Sequence, residues 1–359
     1  MTDEKESMGA AYLWVYFTGE GDGAEQISLA VSKGNNALAW QTLNNGKPLF
    51  ASKRGEGGLR DPFIMRAHDN SKFYLLATDL KIANRHGNGF ETAQIDGSRH
   101  IEIWESVDLV KWSKQRHVEV AHPYVGNTWA PKAFWCDEIK QYVVFWASNI
   151  YRTDKVEERT AITYNRMIYV TTKDFCTFSS PHVWVDVDRG QGKGTIDAAV
   201  AKEDGIYYRF MKEEETMTIR LDCSADLLAT LAGNSYAPRQ GPLQQWVTRS
   251  EKVANGLPNG EGRDFIGGEG PCVFPANVGD HHGYRWYLFI DQPDYHGGPN
   301  HYIGFASYDL SDPNGWISVA DQLRLGIPQN EDGGKPRHGS IIGITESEYQ
   351  RLIAVYGSY

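Results

Sequence analysis

Five short segments constrain the fold of this chain more than any other feature. DPFIMR, KAFWCD, DAAVAK, EGPCVF and HGSIIGI begin at Asp61, Lys132, Asp197, Glu269 and His338, at intervals of 71, 65, 72 and 69 residues. With them recur runs rich in aromatic and β-branched residues: YLWVYF (12–17), FYLLAT (73–78), YVVFWA (142–147), IYYRFM (206–211) and WYLFID (286–291). Such runs, bounded by polar or glycine-containing turns, read as strands. A second recurring element ends a strand with a polar turn and then an aromatic: SKGNNALAW (32–40), ESVDLVKW (105–112), TTKDFCTF (171–178) and SYDLSDPNGW (307–316). Long helical periodicity is nearly absent. Blades of four antiparallel strands repeat about every 40–50 residues. The units here are longer, which implies long inter-strand loops. Five such units account for the 359 residues, so the expectation is an all-β, five-bladed β-propeller, a single domain over 1–359. Little chain follows His338, so residues 12–52 are expected to close the ring with the last unit and remove a free sheet edge. One aromatic strand is left unassigned by this count.

In a propeller the first strand of each blade lines the central channel, so the register above places five polar or charged residues around one funnel. A carboxylate at the head of an apolar strand is costly unless it is paired, hydrogen-bonded or wet. On this reading Asp61 and its counterparts face a solvated axial cavity.

Composition removes several function classes. A net charge of −10 and the absence of a basic stripe argue against charge-led nucleic-acid binding. No apolar run approaches the length of a membrane span. The first residues, MTDEKES, are acidic where a secretory leader is basic. The chain as given therefore carries no leader and reads as cytoplasmic; a trimmed leader would make it extracellular. Cys136, Cys176, Cys223 and Cys272 lack metal-ligand spacing and read as free thiols. Aromatic residues make up 12% of the chain, a level that suits strands and sugar-stacking surfaces alike.

Three of the five register positions are carboxylates: Asp61, Asp197 and Glu269. Glycoside hydrolysis needs two carboxyl groups with opposite duties, one to activate water and one to protonate the leaving oxygen. A third carboxylate beside the acid raises its pKa by like-charge repulsion. No nucleophile elbow, phosphate loop or dinucleotide fingerprint competes with this set.

The stretches RDPFI, NTWAP, TIDAAVAKEDGIYY, GEGPCVF and RHGS, in that order and register, resemble glycoside hydrolase family 43 across residues 12–356. The resemblance implies an inverting enzyme acting on arabinose- or xylose-containing oligo- or polysaccharides, with neither nucleic acid nor membrane as partner. It implies Asp61 as general base, Glu269 as general acid and Asp197 as pKa modulator. His338 resembles the axial histidine that sits near a hydrated metal ion or a substrate hydroxyl. No cofactor is required on this reading, and a structural Ca2+ or other ion at the axis is an option. Trp129 would stack on a sugar, and Arg60 would clamp a sugar hydroxyl or stabilise Asp61. Lys132 stands where the family commonly has an acidic glycone contact, and would pair with Asp61 or Asp197. Asp79 would line the funnel mouth, although its likeness in position to Asp291 favours a turn role for both. The loops 83–99 and 150–166 would wall the funnel into a pocket.

The function these readings imply is an inverting exo-glycosidase that releases terminal α-L-arabinofuranose. The alternatives are a β-xylosidase or endo-arabinanase on the same scaffold, and a catalytically silent glycan-binding propeller, for which Lys132 is the best support. A fructan-cleaving propeller is rejected, because the SDPNGW that resembles its nucleophile motif lies at 311–316, far downstream of RDP.

Overall fold

A computed structural model describes residues 9–21, 23–233 and 244–357. The first eight residues, on which the leader reading rests, lie outside that set. The described strands form five sheets. The first blade runs Leu59–Arg66, Phe73–Asp79, His100–Ser106 and Arg116–Glu119 from the axis outwards. The second runs Trp129–Cys136, Gln141–Asn149, Asn165–Thr172 and His182–Val187. The third runs Thr195–Glu203, Ile206–Glu213, Thr218–Ser224 and Val247–Ser250. The fourth runs Glu269–Pro275, Trp286–Gln292, His301–Ser307 and Ile317–Ser318. The first strands of successive blades pack against one another, and the strand Gly339–Ile344 packs on both Glu269–Pro275 and Leu59–Arg66. The chain is an all-β, five-bladed propeller.

In the fifth sheet Gly339–Ile344 pairs antiparallel with Ala11–Tyr16, from Ala11 opposite Ile344 to Tyr16 opposite Gly339. Ser28–Ser32 and Trp40–Thr42 complete it. The strand left over in the sequence count is thus the second strand of this blade. A fifth strand, Leu231–Gly233, runs parallel to His182–Val187 and ties the connection between the third and fourth strands of the third blade to the second blade.

The aromatic runs are the second strands of their blades and pack between sheets. Trp14, fully buried, meets Trp40 edge-on at 4.9 Å and Phe289 of the fourth blade at 5.4 Å. The polar turns of the second repeat have a shared cause. A Ser or Thr hydroxyl at the strand end accepts from the backbone two or three residues on: Ser106 from Leu109 (2.8 Å), Thr172 from Phe175 (2.9 Å) and Ser307 from Asp309 (3.1 Å). These local bonds end the strand and start the turn.

The register of the inner strands differs from the sequence expectation in an instructive way. Four of them carry a one-residue bulge, after Arg60, Trp129, Ile196 and Glu269. The first bulged residue is left-handed each time: Asp61 (φ 49°), Ala130 (φ 52°), Asp197 (φ 58°) and Gly270 (φ 56°). Bulges re-aim side chains, and a left-handed non-glycine residue costs energy that the surroundings must offset. The structural equivalents are therefore Arg60, Trp129, Ile196 and Glu269 in one layer, and Asp61, Ala130, Asp197 and Gly270 in the next. Glu269 stands one residue ahead of the assumed register. Lys132 stands two residues behind it, level with Phe63, Ala199 and Cys272.

Candidate active site

The bulges gather Asp61, Asp197 and Glu269 around one cavity of ≈ 440 Å³, lined also by Arg60, Trp129, Lys212, Arg337 and His338. Three blades thus supply one carboxylate each. They are not as wet as the sequence suggests: Asp61 is 9%, Asp197 4% and Glu269 8% exposed. Pairing, more than water, makes their burial tolerable.

His338 stands between two of them. Its Nδ1 donates to Asp61 Oδ1 at 2.8 Å, and its Nε2 lies 3.5 Å from Glu269 Oε1 and 3.4 Å from Asp291 Oδ2. Burial disfavours its charge, but the bonds to Asp291, Asp61 and Glu269 outweigh burial and lift its pKa well above the ordinary imidazole value. Asp61 also accepts from Thr78 Oγ1 at 2.7 Å, and that hydroxyl accepts from Ala130 N at 2.8 Å. Burial pushes the Asp61 carboxyl up; the His338 bond and charge, with Arg60 and Thr78, hold it below the usual carboxylate value.

Glu269 has a different partner. Lys212 Nζ donates to its Oε2 at 2.5 Å, and Arg337 Nη2 is 3.8 Å from Oε1. Burial raises its pKa, but Lys212 and His338 bring it well below the ordinary value. The repulsion expected on Glu269 appears on Asp197 instead. Burial, and then the charges of Asp61 and Glu269 against the pull of His338, raise Asp197 above its usual value. Asp197 Oδ2 accepts from Gly270 N at 3.0 Å. Glycine is required there: besides its left-handed φ, a Cβ at position 270 would lie 2.4 Å from His338 Cδ2.

Other sequence-derived residues fall in different places. Trp129 lines the cavity, with Phe90 edge-on at 6.4 Å. Arg60 lines it too, but its guanidinium is taken by Glu20 (2.9 Å) and Glu25 (3.2 Å) and lies 4.5 Å over Phe17. It braces the wall and is not a free clamp. Lys132 is outside the cavity. Its Nζ donates to Pro271 O at 2.7 Å, beside a separate space of ≈ 290 Å³ lined by its true register equivalents Phe63, Ala199 and Cys272 and by Ser340. The expected ion pair with Asp61 or Asp197 is not formed, because Ala130 holds their register position and Lys132 stands two residues further along the strand. Asp79 does not line the cavity either. It is buried beside Glu102 and His117, and its Oδ1 accepts from Glu56 N at 2.8 Å. Asp291 is not a turn residue: it faces Glu269 across the hairpin and holds Arg337 Nε with both oxygens, at 3.0 and 2.8 Å. Of the two loops, 83–99 contributes Phe90 to the cavity wall, whereas 150–166 contributes no lining residue.

Sequence reasoning passed over Arg337, Glu214 and Tyr295, gave Asp291 only a turn role, and offered Lys212 only as a structural ion-pair partner of Asp197, whereas it pairs with Glu269. Pairing register carries the signal for two of them: Lys212 is opposite Ile196 and Asp291 is opposite Glu269, each beside a bulge.

One oxygen or nitrogen each of Asp197, Glu269 and His338 lies within 4.8 Å of the others, a spacing open to an ion. The chemistry of the set does not suit one. Glu269 is already held by Lys212, and His338 carries its own charge between three carboxylates. A divalent cation there would have to displace cations the protein itself supplies.

The sequence of a family described as a probable glycosyl hydrolase domain, related to glycoside hydrolase family 43, matches residues 8–350. An α-L-arabinofuranosidase of Bifidobacterium longum is 34% identical over 215 residues, 57% of this chain, which spans 20% of that protein's length. An α-L-arabinofuranosidase structure from Fusarium graminearum superposes with a TM-score of 0.52 at 13% identity, covering 94% of this chain and 91% of that one. An α-L-arabinanase from Cellvibrio cellulosa gives a TM-score of 0.49 at 13% identity, over 98% and 95% of the two chains.

Proposed function

The chain belongs to the glycosyl hydrolases related to family 43, and from that premise we propose that it is an inverting exo-glycosidase releasing terminal α-L-arabinofuranose. The polymer it acts on would be an arabinan or arabinoxylan, or an oligosaccharide derived from one. The observation that carries this reading is the convergence of Asp61 and Glu269 on one cavity, with His338 between them and an aromatic wall beside them.

Asp61 is the general base. Its depressed pKa keeps it ionised, so that it takes a proton from a water as that water attacks the anomeric carbon. Glu269 is the general acid and delivers its proton to the leaving oxygen as the glycosidic bond breaks. Attack and departure on opposite faces invert the configuration. Asp197, held by Gly270 N, orients the sugar and adds negative potential beside Glu269. Trp129 offers its indole to an apolar sugar face. No metal enters any step; Lys212, Arg337 and His338 supply the positive charge.

The Lys212–Glu269 pair shapes when the acid is ready. In the free site Lys212 keeps Glu269 ionised, the wrong state for proton donation. Both groups line the cavity, so a sugar that draws Lys212 away from Glu269 would remove the largest of the charges that lower its pKa. The alkaline limb of kcat, which reports the complex, is expected above that of kcat/KM, which reports the free enzyme.

Hydrolysis of 4-nitrophenyl α-L-arabinofuranoside, β-D-xyloside, β-D-galactoside and β-fructoside tests the reading, with Glu269→Ala beside the wild type. Arabinofuranoside turnover that collapses in the variant supports it, as does the inverted anomer seen first by proton NMR. Preferred xyloside turnover moves the assignment to a β-xylosidase. Glycan binding with no turnover, on these substrates or on arabino-oligosaccharides, replaces it with a binding module.

A further inference from the structure

Glu214 lines the same cavity as the three carboxylates, and none of the proton transfers above uses it. It follows the strand Ile206–Glu213, two residues after Lys212, and both side chains line the cavity. Its position is fixed from the protein side. Glu214 N donates to Gly194 O at 3.0 Å, and Gly194 N donates back to Glu214 Oε2 at 3.0 Å. Asn165 Nδ2 donates to Oε1 at 3.2 Å.

Asn165 is itself the centre of a buried amide network. Its Oδ1 accepts from Asn127 and Asn149, both at 3.0 Å, and its Nδ2 also donates to Gln94 Oε1 at 3.1 Å. Asn149 donates to the same Gln94 oxygen at 2.9 Å. Asn127, Asn149 and Asn165 are all fully buried. Three buried amides are an expensive way to fill space, and such a network is tolerable only when fully satisfied. Gly194 belongs to the same device: a Cβ there would lie 2.0 Å from Asn165 O. Gln94 sits on the short helix Gly89–Ile95 whose Phe90 faces the cavity, so one network fixes the carboxylate and the wall together.

We propose that Glu214 is the specificity residue of this pocket, binding a hydroxyl of the terminal sugar with the lone pairs its protein partners leave free. A carboxylate offers about four acceptor positions. Gly194 and Asn165 occupy two, on the protein side, and the cavity side is left for the ligand. Burial pushes the Glu214 carboxyl up to about 7, against the bond from Gly194, the charge of Lys212 and the bond from Asn165. A protonated carboxyl still presents both a donor and an acceptor to a sugar hydroxyl. This assignment rests on the glycosidase reading and goes beyond it by naming what selects the sugar.

The test measures kcat/KM of the wild type and of Glu214→Gln on 4-nitrophenyl α-L-arabinofuranoside and its 2-, 3- and 5-deoxy analogues. The expected loss in the variant is roughly 10- to 100-fold on the parent, the range for a hydrogen bond to a charged group. On the one analogue lacking the bound hydroxyl, that loss should shrink to near unity. An equal loss on all four substrates would reveal a merely structural role and overturn the proposal, as would no loss on the parent. If the variant does not fold, the wild type decides alone: indifference to every deoxygenation overturns the proposal, and a single sensitive position supports it. No wild-type turnover of any substrate would instead sink the glycosidase reading, and this assignment with it.

Discussion

Replacing Lys212 by Met tests the electrostatic design of the site at its most consequential contact. Lys212 Nζ lies 2.5 Å from Glu269 Oε2, with the two side chains 6% and 11% exposed. An opposite charge this close lowers a carboxyl pKa by about 1–3 units, which corresponds to roughly 1.4–4 kcal/mol of preference for the ionised form. Met keeps the length of the side chain and removes the charge. Burial then dominates, and the Glu269 pKa should rise by about 1–3 units. Glu269 is the acid and works protonated, so the alkaline limb of kcat/KM should move upward by the same amount. The charge of Lys212 also acts on Asp197 and Glu214, which rise in the same direction, so the limb belongs to the coupled group.

The same substitution makes a signed claim about stability. In the wild type the depressed Glu269 pKa contributes stability that is present above the unfolded value of about 4.3 and lost as pH falls through the folded value. In the variant the folded pKa is expected above the unfolded one, since burial is the largest influence on Glu269 once Lys212 is gone. Stability is then lost as pH rises between the two, and at higher pH the variant carries a buried charge that has lost its nearest partner and keeps only Arg337 at 3.8 Å and His338 at 3.5 Å. Urea unfolding at pH 5 and pH 8 reads this directly, with the larger deficit at pH 8. An unmoved alkaline limb together with a pH-independent deficit would refute the reasoning, because Lys212 would then not be what holds Glu269 ionised.

Replacing His338 by Asn removes the bond and charge that depress Asp61, so the acidic limb of kcat/KM should move up by about 1–2 units. Glu269→Ala should cost about 10²–10⁴-fold on arabino-oligosaccharides, whose leaving group needs a proton. It should cost much less on dinitrophenyl glycosides, whose leaving group does not, and parallel steady-state kinetics would show the difference. Prolonged dialysis against EDTA should leave kcat unchanged, since protein cations already surround Glu269; loss of activity restored by Ca2+ would contradict that account. Trp14→Ala, in the core between the fourth and fifth blades, should destabilise by about 3–5 kcal/mol in urea unfolding and leave KM unaltered in the folded fraction.

The fold was legible because its determinants are local and repeated. Alternating aromatic runs mark second strands, and a Ser or Thr hydroxyl over each turn marks the ends of third strands. The shortage of strands after His338 already demanded that the N-terminal run close the ring, and Ala11–Tyr16 pairs with Gly339–Ile344. The site was legible only in part. Asp61, Asp197, Glu269 and His338 do converge on one cavity, because residues at the heads of inner strands have nowhere else to point.

What the sequence alone determined is which residues reach the axis, since period and polarity are properties of the chain. What only the tertiary structure decided is how deep each one sits and what it touches. The bulge shared by four blades fixes the true equivalences, with Glu269 one residue before the bulged position, in the reaction cavity, and Lys132 two residues after it, beneath the cavity. The partners Lys212, Asp291, Arg337 and Glu214 come from hairpin pairing and from neighbouring blades, across separations of tens of residues. Such contacts set the sign of the shifts at Asp61, Glu269 and His338, where partners outweigh burial, while burial sets it at Asp197 and Glu214.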